Sequence, residues 1–338
     1  MKKLILIASL SCFVFFKVTA QQDPQYTQFM FNKLAYNSGY AGTEGDKICV
    51  TGLFRSQWLG FGTGSGLNPG NTPTGGTSDI GSTPNTFVGS IHSNIGDHFG
   101  VGLNISSDKI GFQNNVNPIV SLAYRYNFTN GALLSAGVGA GIMQESIDGS
   151  KLHALQQGDP VIPTGNVVAN TADFNFGLYY KQPSLSIFDD FYVGVSATHL
   201  NQGKINLGGV INSQMRMHNY ITTGAVYNGL MGGNLTLEPN LLVKYDQAKL
   251  TTDVNLMAMY NNKFRAGLTY RTVDAISFLV GYKFTPEWQL GMSYDFTTSK
   301  VRDYSNGTVE IVMKYCFTIH LPTPPPKIPI PRLTPRFL

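Results

Sequence analysis

Residues 275–317 read AISFLVGYKFTPEWQLGMSYDFTTSKVRDYSNGTVEIVMKYCF, and most of this stretch has a period of two. In 307–317, Val309, Ile311, Met313, Tyr315 and Phe317 share one face, and Thr308, Glu310, Lys314 and Cys316 share the other. In 287–297, Trp288, Leu290, Met292, Tyr294 and Phe296 oppose Gln289, Gly291, Ser293, Asp295 and Thr297. In 275–285, Ile276, Phe278, Val280, Tyr282 and Phe284 oppose Ser277, Gly281 and Lys283. One face is apolar and aromatic, and the other carries the charges. A strand with lipid on one side and a crowded polar lumen on the other needs this pattern.

Working outward, the same alternation recurs in about fourteen segments, roughly 48–58, 86–95, 98–106, 117–129, 131–146, 172–182, 191–200, 218–228, 234–246, 250–261, 263–273, 275–285, 287–297 and 307–317. Each is near the ~9–11 residues that a tilted membrane strand requires. A soluble β-sandwich also alternates, but its outward face is polar and its strands are shorter. Here large aromatics stand near strand ends, as interfacial girdles do. The expected fold is all-β: a closed antiparallel transmembrane β-barrel. Outside the first twenty residues, no segment approaches a spanning helix, and a spanning structure without helices must be a closed barrel.

The chain divides into four parts. Residues 1–20 read as a secretory signal, with Lys2 and Lys3, an apolar run from Leu4 to Phe16, and Val18-Thr19-Ala20 as a small-residue cleavage site. Cys12 lies inside it, and Ser9 stands where a lipoprotein signal needs an apolar residue. Residues 21–47 are polar and aromatic, and Pro24, Gly39, Gly42 and Gly45 break any period. Residues 48–317 form the barrel. Residues 318–338 hold seven prolines from Pro322 to Pro335 and the basic Lys327, Arg332 and Arg336. That composition favours polyproline II, and two readings stay open: a disordered tail, or a periplasmic docking arm that loses little entropy on binding.

The net charge of +4 falls to +1 once Lys2, Lys3 and Lys17 leave with the signal. No basic field remains for nucleic acid. The odd-numbered connections include the long ones (59–85, 107–116, 147–171, 201–217 and 298–306). The even-numbered ones are short, except 183–190. Outer-membrane barrels keep short turns in the periplasm and long loops outside, so an even strand count puts both chain ends in the periplasm.

No constellation points to catalysis, a cofactor or a metal. The six histidines are scattered, without metal-site spacing. Ser90 and His92 share an inward face but lack a positioned third group, so the chain does not read as a hydrolase. Gly137, Gly139 and Gly141 alternate, which marks close packing in the lumen. Lumen charges of both signs, among them Arg55, Arg125, Glu238, Lys244, Asp253, Arg265, Arg271, Lys283, Asp295, Glu310 and Lys314, suit either a network of pairs or an ion-selective channel. Cys49 and Cys316 fall on neighbouring strands at one end of a closed barrel, both facing inward. They are either a disulfide across the seam or two separate thiols.

The opening Gln22-Asp23-Pro24-Gln25-Tyr26-Thr27-Gln28-Phe29-Met30-Phe31-Asn32-Lys33-Leu34-Ala35-Tyr36-Asn37 resembles the mature start of the PorP/SprF family. Gly39-Tyr40-Ala41-Gly42-Thr43 and Arg55-Ser56-Gln57-Trp58 extend the resemblance; Ser38-Gly39 stands where the family usually has Pro-Ala. The resemblance implies an outer-membrane accessory protein of type IX secretion in a Bacteroidetes-type bacterium. Such proteins assist export or surface attachment of particular large surface proteins, such as gliding adhesins. The implied partners are a secreted client held through its C-terminal domain, other secretion components in the periplasm, and outer-membrane lipid. Asp23, Pro24, Tyr26, Gln28, Phe31, Asn32, Tyr36, Asn37, Arg55, Gln57 and Trp58 match the family pattern. Whether they plug the lumen, brace the wall or touch a partner stays open. The alternative function is a FadL-like pore or transporter for small or hydrophobic solutes.

Overall fold

Alternating strands with one apolar face can satisfy every backbone group and expose that face to lipid only by closing on themselves. In a computed structural model, which describes residues 23–60, 83–152, 163, 165–209 and 211–318, they do so. The barrel strands are β1 (Ile48–Ser56), β2 (Asn85–Ile95), β3 (Phe99–Ile110), β4 (Gln113–Asn127), β5 (Leu133–Asp148), β6 (Asn166–Leu185), β7 (Phe188–Thr198), β10 (His218–Leu230), β11 (Leu235–Tyr245), β12 (Leu250–Tyr260), β13 (Phe264–Arg271), β14 (Ala275–Lys283), β15 (Trp288–Thr297) and β16 (Thr308–Phe317). They close antiparallel, neighbour to neighbour, with β16 paired to β1. Two short strands, β8 (Lys204–Leu207) and β9 (Ile211–Gln214), make a separate hairpin in the β7–β10 connection. No helix among the described residues is long and apolar enough to cross a membrane.

Polarity runs opposite to a soluble protein. Val50, Phe54, Phe87, Ile91, Leu268 and Phe278 are exposed on the outer wall, while Thr51, Arg55, Ser90, Thr269 and Ser277 are buried inside. The strand ends Ile48 and Phe317 face each other across the seam. We call this the terminal end, and the opposite one the loop end. Around the terminal end run exposed aromatics: Phe99, Tyr124, Tyr126, Tyr260, Phe264, Phe284 and Trp288. Neighbours in this ring touch, as Phe99 does Tyr124 and Trp288 does Tyr315, which suits a lipid–water boundary.

Three sequence expectations are corrected at the strand ends. The 107–116 connection is a tight turn at Gly111 and Phe112, because β3 and β4 pair out to Ile110 and Gln113. The 147–171 connection shortens because β6 already pairs with β5 at Asn166. The 183–190 connection shrinks to two residues, since Leu185 pairs with Phe188. Strands that rise past the membrane no longer need an apolar face, so their alternation fades although the ladder continues.

A fourth correction concerns the chain ends. Ile48 and Phe317 share one end, but Asp23 does not join them there. Asp23 contacts His199, just after β7, and His218, at the start of β10. Both lie at the loop end. From there the N-terminal segment descends through the lumen and enters β1 at the terminal end.

Candidate functional site

The lumen is the candidate site, and the N-terminal segment fills it. The segment has no long apolar run, so it cannot fold alone; it is ordered by wall groups that complete its hydrogen bonds. Two single-turn 3-10 helices, Lys33–Ala35 and Ser38–Tyr40, shape its middle.

Three anchors hold it. Near the loop end, Thr27 and Gln28 donate their backbone N–H groups to the two oxygens of the Glu310 carboxylate, at 2.9 and 2.7 Å. Arg55 pairs with Glu310 at 3.0 Å and Asp295 at 2.8 Å. Thr27 Oγ1 lies 2.8 Å from Asp295 and accepts from Arg55. Arg271 joins through Asp253 at 3.0 Å. All these charges are buried, and they are paired and hydrogen-bonded, which buried charge requires. Their network of opposite signs is the first of the two readings left open by the sequence.

The middle anchor is backbone against backbone. Asn37 accepts from Gly39 N at 2.8 Å and donates to the Leu178 carbonyl of β6 at 2.9 Å. Gly137 and Gly177 are register partners on β5 and β6. A Cβ on Gly137 would strike Ser38, and one on Gly177 would strike Asn37. Glycine here lets the plug lie directly on the wall. Ser90 Oγ donates to Asn32, and His92 Nδ1 accepts from Gly42 N. The inward-facing Ser90 and His92 therefore hold the plug.

At the terminal end, Tyr40 donates to Glu44, and Lys314 Nζ lies 2.8 Å from Glu44. The Lys314 ammonium outweighs the desolvation of Glu44 and holds its carboxyl well below the usual range. Lys33 Nζ stands 3.5 Å from the Tyr192 ring centroid, with Tyr40 and Tyr179 at 5.5 and 5.9 Å. Burial pulls the Lys33 ammonium down to about 7, and Glu44 only partly offsets it.

Thus Tyr26, Gln28, Phe31, Asn32, Tyr36, Asn37 and Arg55 are buried inside the barrel, and Asp23 and Pro24 are half-buried at the loop end. Gln57 and Trp58 sit just past the end of β1, where the Trp58 N–H donates to Thr308. Cys49 and Cys316 are register partners with bonded sulfurs. Lys327, Arg332 and Arg336 lie outside the described residues.

Two features escaped the sequence. The β8–β9 hairpin buries Ile205 and Leu207 against Met143 and Met215. Gly208-Gly209 between alternating Ile and Leu was its signal. His199 and His218 are far from Asp23 in sequence, so no local spacing shows their meeting. Around that meeting lies a cavity of about 70 Å³, lined by Asp23, Tyr26, Leu34, Asn117, Met143 and His218.

A closed wall with an apolar outside, and a polar bore filled by its own chain, defines an outer-membrane β-barrel with an internal plug. Residues 18–315 match the family described as type IX secretion system membrane protein PorP/SprF, and the chain belongs to that family. No curated protein matches it. Among solved structures it is similar in fold to the Ralstonia pickettii toluene transporter TbuX, with 12% identity over 86% of this chain and 94% of that one, at TM-score 0.50. It is also similar to the CymD monoaromatic hydrocarbon channel, with 10% identity over 86% of this chain and 93% of that one, at TM-score 0.51.

Proposed function

We propose that this barrel supports export or cell-surface attachment of specific large surface proteins, gliding adhesins among them, each held through its C-terminal domain. One observation carries the reading: three sets of buried contacts fix the N-terminal segment inside the lumen. A barrel whose bore is occupied offers a partner its rims, loops and outer wall rather than a passage. The loop end then faces outward and meets the client. The terminal end faces the periplasm, where the 318–338 segment, with Lys327, Arg332 and Arg336, docks other secretion components. The family motif at 23–37 acts as the plug that shapes the scaffold.

A FadL-like route for small or hydrophobic solutes is the second reading. The cavity beside Tyr26, Leu34 and Met143 at the loop end favours it, as does a fold shared with transporters of aromatic hydrocarbons. Affinity purification of the tagged barrel from native outer membrane in mild detergent separates the two. Recovery of a large exported protein, together with loss of that protein from the surface on deletion, supports the first reading. A barrel without a protein partner that takes up solute supports the second.

A further inference from the structure

We infer that Asp23, His199 and His218 form a binding site for one divalent first-row metal ion of the zinc type, which staples the start of the plug to the barrel wall.

The donor set is two imidazoles and one carboxylate, an arrangement that suits such ions and not calcium or magnesium. One donor atom from each residue lies within 4.8 Å of the other two. His199 Nε2 is 2.9 Å from Asp23 Oδ1, and His218 Nδ1 is 3.3 Å from Asp23 Oδ2. An ion ~2.0–2.2 Å from each donor fits between atoms so spaced after small side-chain rotations.

Two further observations point to a ligand. His218 Nδ1 is buried and has no hydrogen-bond partner, although the carboxylate stands beside it. His218 Nε2 takes only a long 3.5 Å contact from Asp23 N, which the tautomer that turns the Nδ1 lone pair to an ion gives up, and a buried nitrogen so poorly met is costly unless a ligand engages it. Second, the remote nitrogen of His199 is oriented by a carboxylate: Nδ1 is 3.0 Å from Asp173, which accepts from Asn117 at 2.8 Å. Carboxylate–imidazole–metal relays fix metal-binding histidines in this way. Tyr220 donates to Asp23 at 2.9 Å, and Lys244 donates to the Asp23 carbonyl rather than its carboxylate. The tyrosine thus orients the carboxylate through Oδ2, the oxygen beside His218 Nδ1, and the lysine holds the backbone. The adjoining cavity leaves room for a water as the fourth ligand. On binding, the ion takes the place of the proton on His199 Nε2, which leaves to solvent.

The wall supplies both histidines and the plug supplies the carboxylate, so the site is complete only with the plug seated. This sets it apart from a histidine pair that binds metal by chance.

The test uses the full chain in detergent, stripped with chelator and titrated calorimetrically with zinc. The expected result is one ion per chain. His199→Gln, His218→Gln and Asp23→Asn each weaken it at least tenfold, and His98→Gln, an exposed residue at the terminal end, leaves it unchanged. Heat-dependent gel mobility confirms that each variant is a closed barrel. X-ray absorption of the zinc-loaded native chain, which needs no variant, shows two imidazoles and oxygen ligands. Absence of saturable binding, unchanged binding in all three variants, or a spectrum without two imidazoles overturns the assignment.

Discussion

Arg55 and Glu310 stand opposite each other in the register between the first and last strands, and their 3.0 Å ion pair is buried inside the barrel. The pair closes the seam and also presents the carboxylate that receives the plug. Glu310→Ala leaves Arg55 partly uncompensated and two plug amides without acceptors. Breaking such a buried pair costs about 3–5 kcal/mol. Protease sensitivity of residues 23–47 should rise sharply, while Glu310→Gln, which keeps one acceptor oxygen, should show a smaller change.

The Asn37 amide joins plug to wall through a donor that only an amide supplies at this position. In Asn37→Asp a carboxylate oxygen faces the Leu178 carbonyl, so the variant should seat the plug worse than Asn37→Ala, by about 1–3 kcal/mol for the unmet acceptor. Gly177→Val should give the same loosening by steric means. Hydrogen exchange over residues 30–42 reads both, and unchanged protection in either variant counts against this packing.

Strand number and side-chain facing were legible because lipid imposes period two wherever a strand crosses it; Val309 to Phe317 shows this directly. That the N-terminal segment plugs the lumen was one of three readings the sequence left open, and its contacts were not legible. Asp23, Thr27 and Asn37 are polar residues in an aperiodic stretch, and what they bind is set by β5, β6, β10 and β16, far along the chain. Strand ends are not legible where the ladder leaves the membrane and alternation fades, as at Ser106 to Gln113. The His199–His218 meeting follows from the closing of the β7–β10 connection, which leaves no local trace.

Cys49 and Cys316 join strands at opposite ends of the sequence, 267 residues apart. A crosslink at this seam stabilises by on the order of 2–4 kcal/mol. Non-reducing peptide mapping of protein from native membrane should find the two peptides linked, and Cys316→Ser should lower the melting temperature. Two free thiols would remove the seam bond from the account.

Lys33 gives the plug a pH dependence with a definite sign. In the folded chain its ammonium deprotonates near 7, and in the unfolded chain near ~10.4. Between those values the unfolded state holds the extra proton, so stability rises with pH, by at most about 1.4 kcal/mol per unit. Glu44, Lys314, Lys181 and Asp190 face the same ammonium. Melting measured from pH 7 to 9 should climb more steeply in the native chain than in Lys33→Met. Equal slopes would contradict the burial of this charge.

The central claim is that the bore is closed by the chain's own N-terminal segment, and planar-bilayer conductance tests it most directly. The purified native barrel should insert without steady conductance, and Glu310→Ala should flicker open as the plug loosens. A stable open channel from the native protein, unchanged in Glu310→Ala, would contradict the account.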